Sequence, residues 1–283
     1  MPHPVESTFT LHGHRLAYTV YGEGPRVIVL VHGLLLNQRM HTALAEALAD
    51  RGNRVVTLDL LGHGRSDRPP DMWRYSMTTF GAEVIALLDH LEVDEAVVLG
   101  TSLGANTALE AAALAPERLR GMVIEMPVLD HALIGCAIAF TPLMLALTAG
   151  APAMRLLSAV TRRIPPLPGP LDYVLDTVRQ RPEPSAAVLQ GLFFGRTAPH
   201  RSERRKLDTP ALVIGHQYDI VHPFSDAGML AEELPNGRLL QASSILELRL
   251  APERLTGEIA EFVDECWRPK PARKPARRRR ASG

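Results

Sequence analysis

One serine of this chain has the sequence neighbours of a reactive nucleophile. Ser102 lies in the segment Gly100-Thr101-Ser102-Leu103-Gly104, which follows an apolar run at 96–99 and precedes an alanine-rich stretch typical of a helix. This is the strand-turn-helix setting of the G-x-S-x-G motif, in which a sharp turn presents the serine hydroxyl to a pocket. Such a hydroxyl can attack a carbonyl carbon if a neighbouring base removes its proton.

The elements that must position this serine alternate along the chain. Apolar runs of strand length follow helical patterns repeatedly, which requires crossover connections and predicts an α/β fold: a mostly parallel sheet with helices on both faces. Two short runs on either side of His12-Gly13-His14 predict an opening hairpin. The other predicted strands lie at 26–31, 55–58, 96–99, 122–125, 211–214 and 238–241, and the helices near 40–51, 77–91, 105–114 and 227–234 and from Pro252 onward.

The alternation is interrupted between residues 126 and 206. We therefore predict a core formed by 1–126 and 206–268, an inserted helical cap at 127–205 and a disordered basic tail at 269–283. Within the insertion, the uncharged stretch 132–154 has the length of a membrane span. A single crossing there would separate the strands of one sheet, so we predict no integral span and expect apolar cap helices over the carboxyl ends of the strands.

The charges of the chain are unevenly distributed although the formal net charge is zero. Residues 268–283 contain eight of the 31 basic residues and no acidic residue, which leaves the rest of the chain acidic. One interpretation is a weak contact of this tail with nucleic acid or an anionic membrane surface. The other is a solvated, disordered end, and composition alone favours it.

Further features limit the cofactor and the compartment. Cys136 and Cys266 match no metal or redox spacing, and the amino terminus lacks the basic and apolar regions of a secretory signal. We therefore expect a cytoplasmic protein. The sequence also contains no phosphate-binding glycine loop and no cysteine-histidine cluster, so we predict neither a cofactor nor a metal.

Four motifs in a fixed order resemble the α/β-hydrolase superfamily, in its serine-nucleophile type with an inserted cap. Each motif follows a predicted strand, and the resemblance covers almost everything except the cap and the tail. The motifs are His32-Gly33, the segment 59–66 (DLLGHGRS), the turn around Ser102, and Gly215-His216-Gln217-Tyr218-Asp219.

The resemblance implies roles for several residues. The backbone amides of Leu34 and Leu103 would form the oxyanion hole that stabilises negative charge on the substrate oxygen. Asp219 would be the acid that orients a catalytic histidine. Asp130, which follows the sixth strand, is the reserve candidate for that acid.

The expected histidine is missing from its usual position in the sequence. Counted back from Pro252, the family's glycine-histidine pair falls near Ser244-Ile245, and no histidine follows His222. Because isoleucine cannot accept a proton, the base must come from elsewhere or hydrolysis is lost.

His222 is the best substitute, because the segment Asp219-Ile220-Val221-His222-Pro223 lies at the correct edge of the sheet. Glu247 is a further alternative, as a weak base or a partner of Arg249, although a surface ion pair is the favoured interpretation of this residue. We expect His32 and His63 to be structural and His41 to lie on a helix surface. His131, His200 and His216 remain open, whereas His3, His12, His14 and His90 lie away from the strand ends.

Two functions are compatible with these residues. The first is a serine hydrolase that cleaves an apolar ester, lactone or thioester through an acyl-enzyme at Ser102, within a cap rich in leucine, methionine and phenylalanine. The alternative is a catalytically degenerate hydrolase fold that binds a hydrophobic small molecule. An imidazole nitrogen within hydrogen-bond distance of the Ser102 hydroxyl would favour the enzyme, and an apolar wall there the binding protein.

Overall fold

A computed structural model describes residues 3–165, 167, 170–219 and 221–268 of the chain. The tail predicted at 269–283 and part of the proline-rich segment 164–170 lie outside these ranges.

Eight strands form one sheet in the described part of the chain. The strands are β1 (Val5–Leu11), β2 (His14–Tyr21), β3 (Arg26–Val31), β4 (Asn53–Asp59), β5 (Ala96–Thr101), β6 (Leu119–Glu125), β7 (Ala211–His216) and β8 (Gly237–Ala242). Their order is β1-β2-β4-β3-β5-β6-β7-β8; β2 runs antiparallel to β1 and β4, and all other neighbours are parallel. This arrangement confirms the predicted α/β fold.

Helices connect the parallel strands and cover both faces of the sheet. The helices are α1 (Thr42–Ala49), α2 (Met77–His90), α3 (Leu103–Leu114), α4 (Ala132–Thr148), α5 (Ala151–Thr161), α6 (Pro170–Arg179), α7 (Pro182–Phe194), α8 (Arg201–Arg204), α9 (Phe224–Glu233), α10 (Glu247–Leu250) and α11 (Glu253–Trp267). Ile28 and Leu30 point to the layer containing α1 and α11, whereas Val29 and Val31 point to the layer containing α2, α3 and α9. Short 3₁₀ turns lie at Gln38–His41, Met72–Arg74 and Pro116–Arg118.

The segment between β6 and β7 folds into α4 to α8, which we call the cap. Polar contacts fix it to the core; among them, the Asn106 amide of α3 donates to the Thr197 carbonyl, and the Thr177 hydroxyl donates to the Leu35 carbonyl. No single helix in the described residues is both long and apolar enough to cross a membrane; α4 and α5 pass that test only as a pair bent by 90°.

A buried carboxyl holds the loop that follows β4. Glu83 of α2 is 1% exposed, and its carboxyl oxygen accepts a hydrogen bond from the Leu61 amide at 2.9 Å. Burial raises the pKa of Glu83 to about 8, although the bond from Leu61 acts in the opposite direction. Glu83 is therefore mostly protonated in the folded protein at neutral pH.

A second buried cluster fixes the carboxyl ends of β5 and β6. The Glu125 carboxylate accepts hydrogen bonds from the Thr101 hydroxyl and from the Arg249 guanidinium, which lies 2.8 Å away. Burial would raise the pKa of Glu125, but the charge of Arg249 and the neighbouring His216 and Thr101 lower it well below its usual value. The Arg249 side chain is only 12% exposed, so each charge depends on the other.

Replacing Glu83 should change how stability depends on pH. The folded-state pKa of Glu83 lies above its ordinary value near 4.5, so its contribution to stability is complete below that value and is lost as the pH rises towards about 8. We expect Glu83→Gln, which can keep the bond from Leu61, to remove this loss. Thermal unfolding of both proteins from pH 5 to pH 9 measures it, with the exposed Glu46→Gln in α1 as the control. If the melting temperatures of wild type and Glu83→Gln changed with pH in the same way, the raised pKa of Glu83 would be contradicted.

Removing one partner of the buried ion pair should destabilise the fold strongly. We expect Glu125→Gln to lower the free energy of unfolding by about 3–5 kcal/mol, because the Arg249 charge stays buried without its partner. Glu125→Gln combined with Arg249→Met should recover part of that loss in a double-mutant cycle. The control is Glu265→Gln, which breaks the exposed pair with Arg238 and should cost about 1 kcal/mol or less. A loss in the double variant equal to the sum of the losses in Glu125→Gln and in Arg249→Met alone would show that the pair is not coupled.

Candidate active site

The backbone at Ser102 is strained, and glycines make the strain possible. Ser102 has φ 54° and ψ −109°, a region that residues with a side chain rarely adopt. A Cβ atom at Gly100 would lie 1.9 Å from the Gly104 carbonyl oxygen, and one at Gly104 would lie 2.1 Å from the Val31 carbonyl oxygen. The two glycines therefore allow β3, β5 and the start of α3 to meet at this turn.

The Ser102 hydroxyl lies within hydrogen-bond distance of an imidazole. The Oγ atom is 2.8 Å from Nε2 of His222, and Nδ1 of the same ring is 2.9 Å from an Asp219 carboxylate oxygen. The His222 and Asp219 side chains are only 15% and 11% exposed. Serine, imidazole and carboxylate thus form a continuous chain in the geometry of a nucleophile, a base and an orienting acid.

The loop after β7 supplies both the imidazole and the carboxylate. The second carboxylate oxygen of Asp219 accepts hydrogen bonds from the backbone amides of Val221, at 2.9 Å, and His222, at 3.0 Å. Burial would raise the pKa of Asp219, but the bonds from the His222 ring and from these two amides lower it below its usual value. The carboxylate is therefore ionised at neutral pH and holds the loop and the ring in one conformation.

The segment after β8, where the family's histidine was expected, has other contacts. The Ser244 carbonyl lies 2.8 Å from Nδ1 of His216, while the Ile245 side chain is 46% exposed. Nε2 of His216 lies 3.5 Å from Glu125. Burial lowers the pKa of His216, but the Glu125 carboxylate outweighs this effect and leaves that pKa raised. His216 thus belongs to the buried cluster rather than to the serine.

Glu247 corrects one sequence-based expectation. Its carboxylate pairs with Arg254 at 2.7 Å and accepts a hydrogen bond from the Ser243 amide, and it is 7% exposed. The expected ion pair forms, but its carboxylate is buried in α10 rather than at the surface. Its expected partner Arg249 binds Glu125 instead. Glu247 therefore stabilises the loop after β8.

His41 corrects a second expectation. Its ring is fully buried rather than on a helix surface, with Nε2 3.1 Å from the Val31 carbonyl. Burial lowers its pKa to about 3, so the ring is neutral. The prediction was wrong because the chain enters α1 through a 3₁₀ turn that points inward at this residue.

The other candidate histidines, and the reserve acid, contact groups other than Ser102. His32 and His63 are fully buried, with Nδ1 atoms close to the backbone carbonyls of Gly33 and Leu61. Nδ1 of His131 lies 2.9 Å from the buried carboxylate of Asp226, and His200 lies near Ser202 at the start of α8. Asp130 is exposed, and the acid that meets an imidazole beside Ser102 is Asp219.

The two residues predicted to form the oxyanion hole lie beside the serine. Leu34 and Leu103 both line the cavity that contains Ser102. Leu103 is the first residue of α3, so its amide has no partner within the helix and lies at the positive end of the helix dipole. The loop carrying Leu34 lies close to Ser102, since a Cβ atom placed on Gly33 would be 4.0 Å from the Cβ atom of Ser102.

The cavity at Ser102 has a volume of about 320 Å³ and no charged lining residue. Its walls come from α3, α4 and α7, and the few polar side chains include Asn106, whose amide group is already bonded to Val128 and Thr197. No sequence motif marks Asn106 or Cys136 as a lining residue, and burial raises the pKa of the Cys136 thiol to about 11. The lining residues are Leu34, Met77, Ser102, Leu103, Asn106, Val128, Leu133, Cys136, Ala137, Phe140, Leu189, Leu192, Phe193 and Thr197.

The part of the chain that the structure describes contains no candidate metal site. Three or more histidine, cysteine, aspartate or glutamate side chains do not converge anywhere in those residues.

Comparisons with known proteins agree with this fold. An uncharacterized protein of Mycobacterium tuberculosis is 26% identical over 276 residues, covering 90% of this chain and 80% of that protein. An epoxide hydrolase of Caballeronia sordidicola is 32% identical over 117 residues, or 41% of this chain and 35% of that enzyme. The crystal structure of the enol-lactonase from Burkholderia xenovorans superposes with a TM-score of 0.73 at 23% identity, covering 91% of this chain and 100% of that one. The model of the alpha/beta hydrolase fold family matches residues 26–243, and the chain therefore belongs to this family.

Proposed function

We propose that this protein is a serine hydrolase that cleaves a small apolar ester, lactone or thioester. The observation that carries the proposal is the contact of Ser102 with His222, and of His222 with Asp219, at the wall of an apolar cavity. Membership of a hydrolase-fold family and the likeness to an enol-lactonase support hydrolysis in general. The residue roles rest on the geometry.

Each residue has one task in the proposed reaction. His222 Nε2 takes the hydroxyl proton while Ser102 Oγ bonds to the carbonyl carbon, and the amides of Leu34 and Leu103 bind the resulting oxyanion. When the intermediate collapses, the bond to the alcohol or thiol breaks and the leaving group receives the proton from His222. Water, deprotonated by the same imidazole, then releases the acid from Ser102. Asp219 stays ionised and stabilises the imidazolium.

The cavity limits the substrate. Its volume of about 320 Å³ lies near the lower end of the range of small-molecule sites, roughly 300–1,000 Å³. An anionic or strongly polar acyl group would lose its hydration without a charged partner in the wall, so a neutral apolar acyl group fits best. Among model esters we therefore favour short and medium acyl chains.

The alternative, a degenerate fold that only binds a hydrophobic molecule, has less support. It was motivated by Ile245 in place of the family's histidine. The imidazole that would be missing in that case is provided by His222 at 2.8 Å from the Ser102 hydroxyl. A binding protein would show an apolar wall beside the serine, whereas in this structure the His222 imidazole lies there.

Active-site labelling tests the nucleophile and the base together. We expect a fluorophosphonate probe to label the wild-type protein and not Ser102→Ala. His222→Ala should label about 10²–10⁴ times more slowly, because the hydroxyl loses its proton acceptor. The matched control is His131→Ala, another histidine paired with an aspartate, which should label at the wild-type rate.

Two results of that experiment would contradict the proposal. A folded wild-type protein that is not labelled would favour the binding protein. A His222→Ala variant that labels as fast as wild type would show that another group activates Ser102.

Substitution of the acid tests the orientation of the imidazole. Asp219→Asn can keep the bonds from the Val221 and His222 amides through its Oδ1 atom, but its NH₂ group cannot accept the Nδ1 proton. We expect kcat for p-nitrophenyl butyrate to fall by about 10²–10⁴, with little change in melting temperature. Asp130→Asn, at the reserve position, should leave kcat unchanged. A larger loss for Asp130→Asn than for Asp219→Asn would assign the acid to Asp130.

A further inference from the structure

The outer surface of the cap is apolar and uncovered. Helix α4 has 17 residues without a charge, yet only Ala132 and Leu147 of these are buried. Ile134 is 74% exposed, Ile138 71% and, on α5, Leu156 68%. A helix that is apolar on all sides normally lies inside a protein or a membrane, and patches of this kind mark binding surfaces. We call the exposed side chains of Ile134, Ile138, Leu145, Leu156, Leu157 and Val160 the outer cap face.

The charged residues within α4, α5 and the segment that follows them are all basic. Between Asp130 and Asp172 the sequence contains no acidic residue, and its only charged residues are Arg155, Arg162 and Arg163. Arg155 pairs with Glu183. Arg162 donates through Nε to a backbone carbonyl and is exposed, as is Arg163, so both guanidinium groups at the end of α5 face solvent.

We propose that the outer cap face docks onto an anionic lipid surface. An apolar face edged by arginines matches an anionic bilayer, where the aliphatic side chains enter the acyl boundary and the guanidinium groups meet the phosphates. A second copy of the chain fits less well. In a symmetric dimer each face meets its own copy, so Arg162 and Arg163 would face the same arginines of the other copy, and residues 131–171 supply no acidic side chain to pair with them.

Docking in this way would bring the Ser102 cavity to the lipid. The inner side of α4 lines that cavity through Cys136, Ala137 and Phe140, while its outer side would lie in the membrane interface. If the proposed hydrolase function holds, its substrate is an apolar ester that partitions into membranes. Lipid binding itself does not require catalysis, so it is tested with Ser102→Ala.

Vesicle co-sedimentation of the full-length Ser102→Ala protein tests docking. We expect binding to vesicles of equal parts phosphatidylcholine and phosphatidylglycerol, weaker binding at high salt, and little binding to phosphatidylcholine alone. Adding Ile134→Ser, Ile138→Ser and Leu156→Ser should weaken binding about tenfold or more. Adding Arg162→Gln and Arg163→Gln should weaken it roughly tenfold to thirtyfold.

Matched variants separate this face from other parts of the chain. Val5→Ser with Leu239→Ser removes exposed apolar side chains outside the cap and should leave binding unchanged. Replacing Arg277, Arg278, Arg279 and Arg280 by glutamine tests the tail. The proposal is overturned if only the tail variant loses binding, or if the triple serine variant binds like its parent. It is also overturned if light scattering shows a dimer without vesicles that the triple serine variant abolishes.

Discussion

The strained turn at Ser102 is the constraint on which the rest of the site depends. A left-handed backbone at a residue with a side chain costs about 1–3 kcal/mol and persists only where the surroundings enforce it. Here the Ser102 amide donates to the Glu125 carbonyl, and the Glu125 side chain is itself held by Arg249. The buried ion pair below the turn therefore contributes to the direction in which the hydroxyl points, although neither charge contacts the cavity.

The position of the imidazole follows from a second local constraint. When acid and base come from different loops, their distance depends on how two strands pack. Here Asp219 and His222 are three residues apart, and the same carboxylate binds both the ring and the backbone amides of its own loop. The orientation of the imidazole is thus fixed locally. The loop after β8 carries no histidine, and its charged residues, Glu247 and Arg249, hold α11 and β6.

The sequence predicted the sheet well because its signals are local. Apolar runs such as 96–99 are long enough for buried strands, and the glycines around Ser102 indicate the turn without knowledge of the rest of the fold. Pairings between distant residues carried no comparable signal. Glu125 and Arg249 are 124 positions apart, and nothing in the sequence of either segment predicts their contact. His41 was placed on a surface for a different reason: the chain enters α1 through a 3₁₀ turn, which points this side chain into the core.

The cap shows where hydropathy stops being informative. A helix without charges has no polar side that marks where solvent lies. The sequence of α4 therefore predicts that the helix is buried, but not which surface covers it. In the structure one side of α4 faces the cavity, and most of the other lies open. Three aliphatic side chains of this kind, inserted into lipid, would each contribute at most about 1.5–3 kcal/mol to the free energy of membrane binding. Each arginine would contribute about 1 kcal/mol. After the cost of immobilising the protein at a surface, a gain of this size gives reversible attachment. Attachment of that strength would let the same cavity receive a substrate at the lipid and release a more polar acid and alcohol into water.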